Sequence, residues 1–172
     1  MGKIQKGLAA FLFGAAGLFG LNQLPQACGS DVNDAARQTR IVPETAMVDL
    51  AVQLGDYARG KQPGFLLIGN GPTGLLEVTE NNSEENVTRL IRALDGFFME
   101  SRFYDGYEEN GEKAERNDAE TDEFLAAMLR KPLMAGKQVF ILDYVKGEKI
   151  RHVQEWGAAE GYIADGGDRL LD

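Results

Sequence analysis

Glu100 closes the apolar run Leu94-Asp95-Gly96-Phe97-Phe98-Met99 and opens an aromatic stretch, Arg102-Phe103-Tyr104. A carboxylate at the C-terminal tip of a strand is placed to exchange a proton with a glycosidic oxygen, one of the two carboxylate roles, one protonated and one ionised, that such a cleavage needs. Three further apolar runs end on polar side chains. Pro63 to Asn70 ends on an amide, Gln138 to Tyr144 ends on Asp143 and Tyr144, and Gly161 to Asp165 ends on a carboxylate. Each residue also has a plainer reading. Glu100 can be a solvated loop acid. Asp143 can hold a substrate hydroxyl, orient Glu100, or cap the loop that follows. Asp165 leads into Gly166-Gly167-Asp168, a turn sequence. Tyr104, with Phe103 and Tyr107, can offer ring faces to a sugar or pack a long loop onto the rim.

Other chemistries find little to stand on. His152 is the only histidine and lies beside Arg151 in a helical pattern, where a solvated face residue is expected. One histidine and one cysteine, Cys28, make no metal cluster, so no metal is expected. Gly69-Asn70-Gly71-Pro72 lacks the lysine and following helix of a phosphate loop, and no serine sits on a tight strand-to-helix elbow. No cofactor is expected.

The elements that would carry these residues alternate. Met47, Leu50, Ala51, Leu54 and Ala58 repeat at helical spacing over about 45–60, and Gly60 with Pro63 ends the pattern. A strand follows at 64–69. Asn81 to Glu85 supplies caps and early acids for a helix striped by Val87, Leu90, Ile91 and Leu94. A strand at 96–100 opens into an irregular segment, 101–116. Asn117 and Glu120 have capping-box spacing before a helix that Lys131-Pro132 should kink or end. A strand at 138–143, a helix marked by Ile150, Val153, Trp156 and Ala159, and a strand at 161–165 complete the order. Strand and helix in alternation imply parallel neighbours joined by right-handed crossovers. Phe65 to Ile68 and Val139 to Leu142 are apolar throughout, as strands covered on both faces are.

Before this body lie Lys3, Lys6 and a 14-residue apolar run, Leu8 to Leu21. A membrane-spanning helix needs about 20 residues, so the run suits the apolar centre of a secretory signal. Residues 1–27 are therefore expected to form a signal peptide containing an apolar helix at 8–21 that makes few contacts with the body. The protein is then secreted or periplasmic. Cys28 follows Leu24-Pro25-Gln26-Ala27, where a lipoprotein would carry its acylated cysteine, and ordinary cleavage nearby is the other reading. Residues 28–44 read as a polar linker. The chain carries a net charge of −9, and residues 1–27 hold two lysines and no acids, which leaves −11 on the rest. Such a field disfavours nucleic acid and is compatible with a neutral or cationic polysaccharide.

Taken together, these signatures resemble a family of secreted glycoside hydrolases, the endo-α-1,4-polygalactosaminidases of family 114, which have a (β/α)₈ barrel. The resemblance runs over about 45–172. It rests on Tyr57-Ala58-Arg59 before Pro63-Gly64-Phe65-Leu66-Leu67-Ile68, on Ala93-Leu94-Asp95-Gly96 with Glu100, on Ala135-Gly136-Lys137 running into Gln138 to Val145, and on Gly161 to Asp165 with Arg169 and Leu171-Asp172. It implies an α/β fold of four parallel β/α units, the second half of a TIM barrel. The implied ligand is an amino-sugar-rich polysaccharide, with Glu100 as the acid/base and Asn70, Tyr104, Asp143, Tyr144 and Asp165 about the substrate.

Two departures matter. The family places a catalytic aspartate at the end of its fourth strand, and no such strand is read here. Its frequent Pro-Gln-Asn-like turn is Gly69-Asn70-Gly71 in this chain. The expectation is a glycoside hydrolase-like protein incomplete as a catalyst, its missing half-barrel supplied by a partner chain, or a homo-oligomer. A non-catalytic carbohydrate-binding or assembly module, or a truncated gene product, is the alternative.

Overall fold

The computed structural model describes the backbone of residues 9–13 and, in full, residues 42–105, 111 and 113–167. Helix α1, Pro43–Lys61, starts on a proline whose missing N–H costs nothing at that position, and its charges run from Glu44 to Arg59 and Lys61 along the helix dipole. Strand β2, Leu66–Asn70, follows, then a single 3₁₀ turn at Pro72–Leu75. Helix α2, Glu84–Ala93, is capped by Ser83, whose hydroxyl accepts the Asn86 N–H, and it buries Val87, Leu90 and Ala93 as one stripe. Strand β3 is Gly96–Glu100. After the short strands β4, Tyr104–Asp105, and β5, Glu115–Arg116, come α3, Ala119–Met134, β6, Gln138–Tyr144, α4, Glu148–Glu160, and β7, Ile163–Gly167.

The main sheet is parallel throughout, and β2, β3, β6 and β7 lie side by side in chain order. A fifth strand, β1, Ala9–Phe13, extends it beyond β2. Because the order advances in one direction and each crossover is right-handed, all four helices fall on the same face. The burial of alternate residues agrees: Leu67, Phe97, Val139 and Ile141 are under 4% exposed and form the core with Val48, Leu90 and Val153 from the helices. The residues between them, among them Ile68, Phe98, Phe140 and Leu142, look out of the other face and are only half-buried. That second face is the one a closed barrel would turn inward.

Helix α4 reaches the sheet through Gly157, where a Cβ would overlap the Ala164 methyl. It ends on Gly161 at φ 82°, the left-handed stop that glycine takes without cost. Among the described residues no helix is long and apolar enough to cross a membrane.

Four local expectations are corrected. Residues 9–13 of the expected leader helix form a strand paired with β2, so a strand does precede β2; the rest of 1–41 lies outside the described residues. The 101–116 segment contains an antiparallel pair, Tyr104 opposite Arg116 and Asp105 opposite Glu115. Helix α3 continues through Pro132 to Met134, because a proline in the last turn removes a single backbone donor. Its cap is Asp118, which accepts the Thr121 N–H at 2.7 Å, and Asn117 is engaged elsewhere.

Candidate functional site

Pairing register sorts the expected site residues by face. Glu100 pairs with Leu142, and Leu142 pairs with Asp165, so Glu100 and Asp165 stand in one row two strands apart, side chains on the open face. Asn70 pairs with Phe98, two residues before Glu100, and shares that face at the next row. Tyr144, two residues beyond Leu142, shares it as well. Asn70, Glu100, Tyr144 and Asp165 thus form a polar rim at the C-terminal strand ends. Below them, Ile68, Phe98, Phe140, Leu142 and Ile163 floor an apolar cleft of about 430 Å³. Asp165 stands at its edge, where Oδ1 accepts the Gln154 Nε2–H and the Gly166 N–H, both at 2.9 Å.

Asp143 goes the other way. One residue past Leu142, it faces the helices, is fully buried, and spends both oxygens on backbone N–H groups. Oδ1 accepts from Arg102 at 2.8 Å, and Oδ2 accepts from Phe103 at 2.8 Å and Tyr104 at 2.9 Å. The structure therefore gives it the loop cap that the sequence left open and offers no exposed oxygen to a sugar. Burial pushes its pKa above the ordinary carboxylate value, and the three N–H donors with the Arg102 guanidinium oppose that shift.

Tyr104 also lies off the rim. It is 6% exposed, its hydroxyl is 3.2 Å from His152 Nδ1, and its ring stacks on Trp156 with centroids 5.8 Å apart. Phe103 meets the same indole edge-on at 5.7 Å. Burial raises the Tyr104 pKa, with Arg116 opposing. The aromatic loop therefore packs beneath α4, where its rings are closed to a sugar, and His152 is part of that stack. Tyr107 lies outside the described residues, as does Cys28.

No known family profile and no curated protein matches the chain. Solved structures do. The chain superposes on the glycoside hydrolase domain of PelA from Pseudomonas aeruginosa with a TM-score of 0.52 at 18% identity. It superposes equally, at 17% identity, on a glutamate-to-alanine variant of that domain. The match takes in 75% of this chain and 46% of that domain, so the chain spans about half the length of the structures it resembles. The fold is that of part of a glycoside hydrolase domain.

On this sheet a second feature escaped the sequence. Glu100 and Ser101 line a cleft of about 510 Å³ between the end of β3, the β4–β5 hairpin and the start of α3. Asp105, Glu115, Arg116, Asn117 and Asp118 line it too, with Met99, Thr121 and Leu125, so its charged lining is acidic but for Arg116. Asp105, Glu115 and Arg116 sit in the segment read as irregular, and Asn117 and Asp118 in the helix start that follows; the signal that could have found them is the density of acids between Asp105 and Asp118. Asp118 is held below the usual carboxylate range by the Thr121 N–H that it caps. Among the described residues no group of histidine, cysteine and acids could hold a metal ion.

Proposed function

We propose that the rim of Asn70, Glu100, Tyr144 and Asp165 binds an amino-sugar-rich polysaccharide, with Glu100 as the group that exchanges a proton with the glycosidic oxygen. One observation carries the reading: polar residues from four different strands converge on the C-terminal end of one sheet face, over an apolar floor, in a fold shared with part of a glycoside hydrolase domain. Asp165, held through Oδ1, suits a hydroxyl acceptor better than a nucleophile. Asp143 acts behind the sheet.

Cleavage needs a second carboxylate about 5 to 9.5 Å from the first, on the other side of the scissile bond. We place that group outside the described half-barrel, on a partner chain that completes the ring. The described half is then a binding surface whose chemistry is incomplete by itself. Export rests on the character of residues 1–27, and cleavage there, which anchoring through Cys28 requires, would remove β1 and leave β2 at the edge of the mature sheet.

The assembly reading has an observation of its own in Leu66 and Ile163, which are 47% and 55% exposed on the open face. Apolar side chains at that level suit a surface that another element covers.

The test is hydrolysis of a galactosamine-rich polysaccharide by the purified full chain. The expected result is binding without appreciable turnover, turnover on addition of a polypeptide carrying the first four β/α units, and loss of that turnover in Glu100→Gln with binding retained. Robust hydrolysis by the chain alone that survives Glu100→Gln would end this reading.

A further inference from the structure

The turn that follows Glu100 is fixed at every backbone polar group from Ser101 N to Tyr104 N. Ser101 N–H donates to the Leu142 carbonyl at 3.2 Å, and the Arg102, Phe103 and Tyr104 N–H groups all donate to Asp143. On the opposite side, Asn117 Nδ2 donates to the carbonyls of Ser101 at 3.1 Å and Arg102 at 3.0 Å, and the Asn117 N–H donates to the Phe103 carbonyl at 2.9 Å.

Two features show that the clamp holds the chain where it would not rest by itself. Ser101 has φ 56°, the left-handed region that an L side chain enters only at a cost. Its hydroxyl is buried without a hydrogen-bond partner. Both costs fall on the residue next to Glu100, on the wall of the acidic cleft.

We propose that Asp143 and Asn117 are positioning residues, which hold Ser101 left-handed and thereby fix the direction in which Glu100 leaves the sheet. The inference rests on the reading of Glu100 as the proton-exchanging group. A site of that kind needs its acid held within a fraction of an ångström by residues that are themselves locked. Asp143 is locked by burial, and Asn117 by three hydrogen bonds to one turn.

The strain at Ser101 makes the claim testable apart from stability, because a glycine there adopts the same φ freely. Full-length chains carrying Asp143→Asn, Asn117→Asp, Ser101→Gly and the double change Asp143→Asn/Ser101→Gly are compared in two ways. One is affinity for an α-1,4-linked galactosamine oligosaccharide. The other is the NMR titration of the Glu100 carboxyl carbon. Asp143→Asn should weaken binding about tenfold, the effect of about 1.4 kcal/mol, and move the Glu100 titration. The double variant should bind within about threefold of the parent, since glycine supplies the conformation that Asp143 enforces. A role in stability alone would restore the urea unfolding midpoint, since glycine at φ 56° also relieves strain, and would leave the affinities of the variants equal when each is measured fully folded.

If Asp143→Asn fails to fold, the half-buried Asn117→Asp puts the same question, with the same rescue expected from Ser101→Gly. Unchanged Glu100 titration in the clamp variants, or failure of glycine to rescue, overturns the proposal. If the parent chain binds no oligosaccharide, the sugar reading falls, and the Glu100 titration with its glycine rescue decides positioning alone.

Discussion

Glu100 and Asp143 stand on neighbouring strands one register step apart, and so on opposite faces of the sheet. Glu100 belongs to the open rim, and Asp143 lies buried on the helix side, holding the turn that Glu100 begins. The two carboxylates therefore cannot share a substrate. One is placed to meet a ligand, and the other shapes the backbone behind it.

The helix side is tied together by Arg102, whose guanidinium is wholly buried, donates to Asp122 of α3 and Glu160 of α4, and lies 4.7 Å from the Phe103 ring centre. Asp122 and Glu160 are 31% and 36% exposed, so their charges stay hydrated when the arginine is removed. Arg102→Ala should cost about 3 kcal/mol through the cavity it leaves, within the range of large-to-small changes in a core. Arg102→Met, which refills the space, should cost clearly less. Urea unfolding midpoints measure both, and equal losses in the two variants would contradict the packing account.

Tyr162 carries an alkaline signature. Burial raises its phenol from 10.0 to about 12, with Arg102 opposing the shift. The folded chain keeps that proton longer than the unfolded chain does, so the contribution is complete below pH 10 and is lost as pH rises towards about 12. Tyr162→Phe should flatten the fall in stability over that window, while near neutrality it loses about 1 kcal/mol with the hydroxyl's hydrogen bonds to Arg102 and Glu160. A slope as steep as the parent's would mean that another group titrates there.

The pairing of β1 with β2 makes a prediction about residues 1–27. A chain that begins at residue 28 loses the partner of Leu66 to Asn70, and β2 becomes an edge strand with open hydrogen-bonding groups. Amide exchange in β2 should quicken on removal of 1–27, with β6 unchanged. Equal protection of β2 in both chains would show that β1 adds nothing to the sheet.

The strands and their order were legible because the apolar runs at 66–70, 96–100 and 138–144 are separated by helices with clear stripes, such as Val87, Leu90, Ile91 and Leu94. The faces were not. Asp143 and Tyr144 are sequence neighbours and read as one polar end, yet the two-residue period of a strand sends them to opposite sides. Which side is open depends on where the helices pack. The strand at 9–13 was hidden inside a longer apolar run with glycines, which periodicity cannot assign to helix or strand. Asn117 had the spacing of a helix cap, and only the folded turn shows its amide spent on Ser101 and Arg102.

The claim that the rim is the ligand surface is tested most directly by backbone NMR of the full chain during titration with an α-1,4-linked galactosamine oligosaccharide. The account predicts saturable shifts at Asn70, Glu100, Ser101, Tyr144 and Asp165, with the helix-side residues Val48, Leu90 and Val153 unmoved. Shifts confined to the outer helices, or none at saturating oligosaccharide, would contradict it.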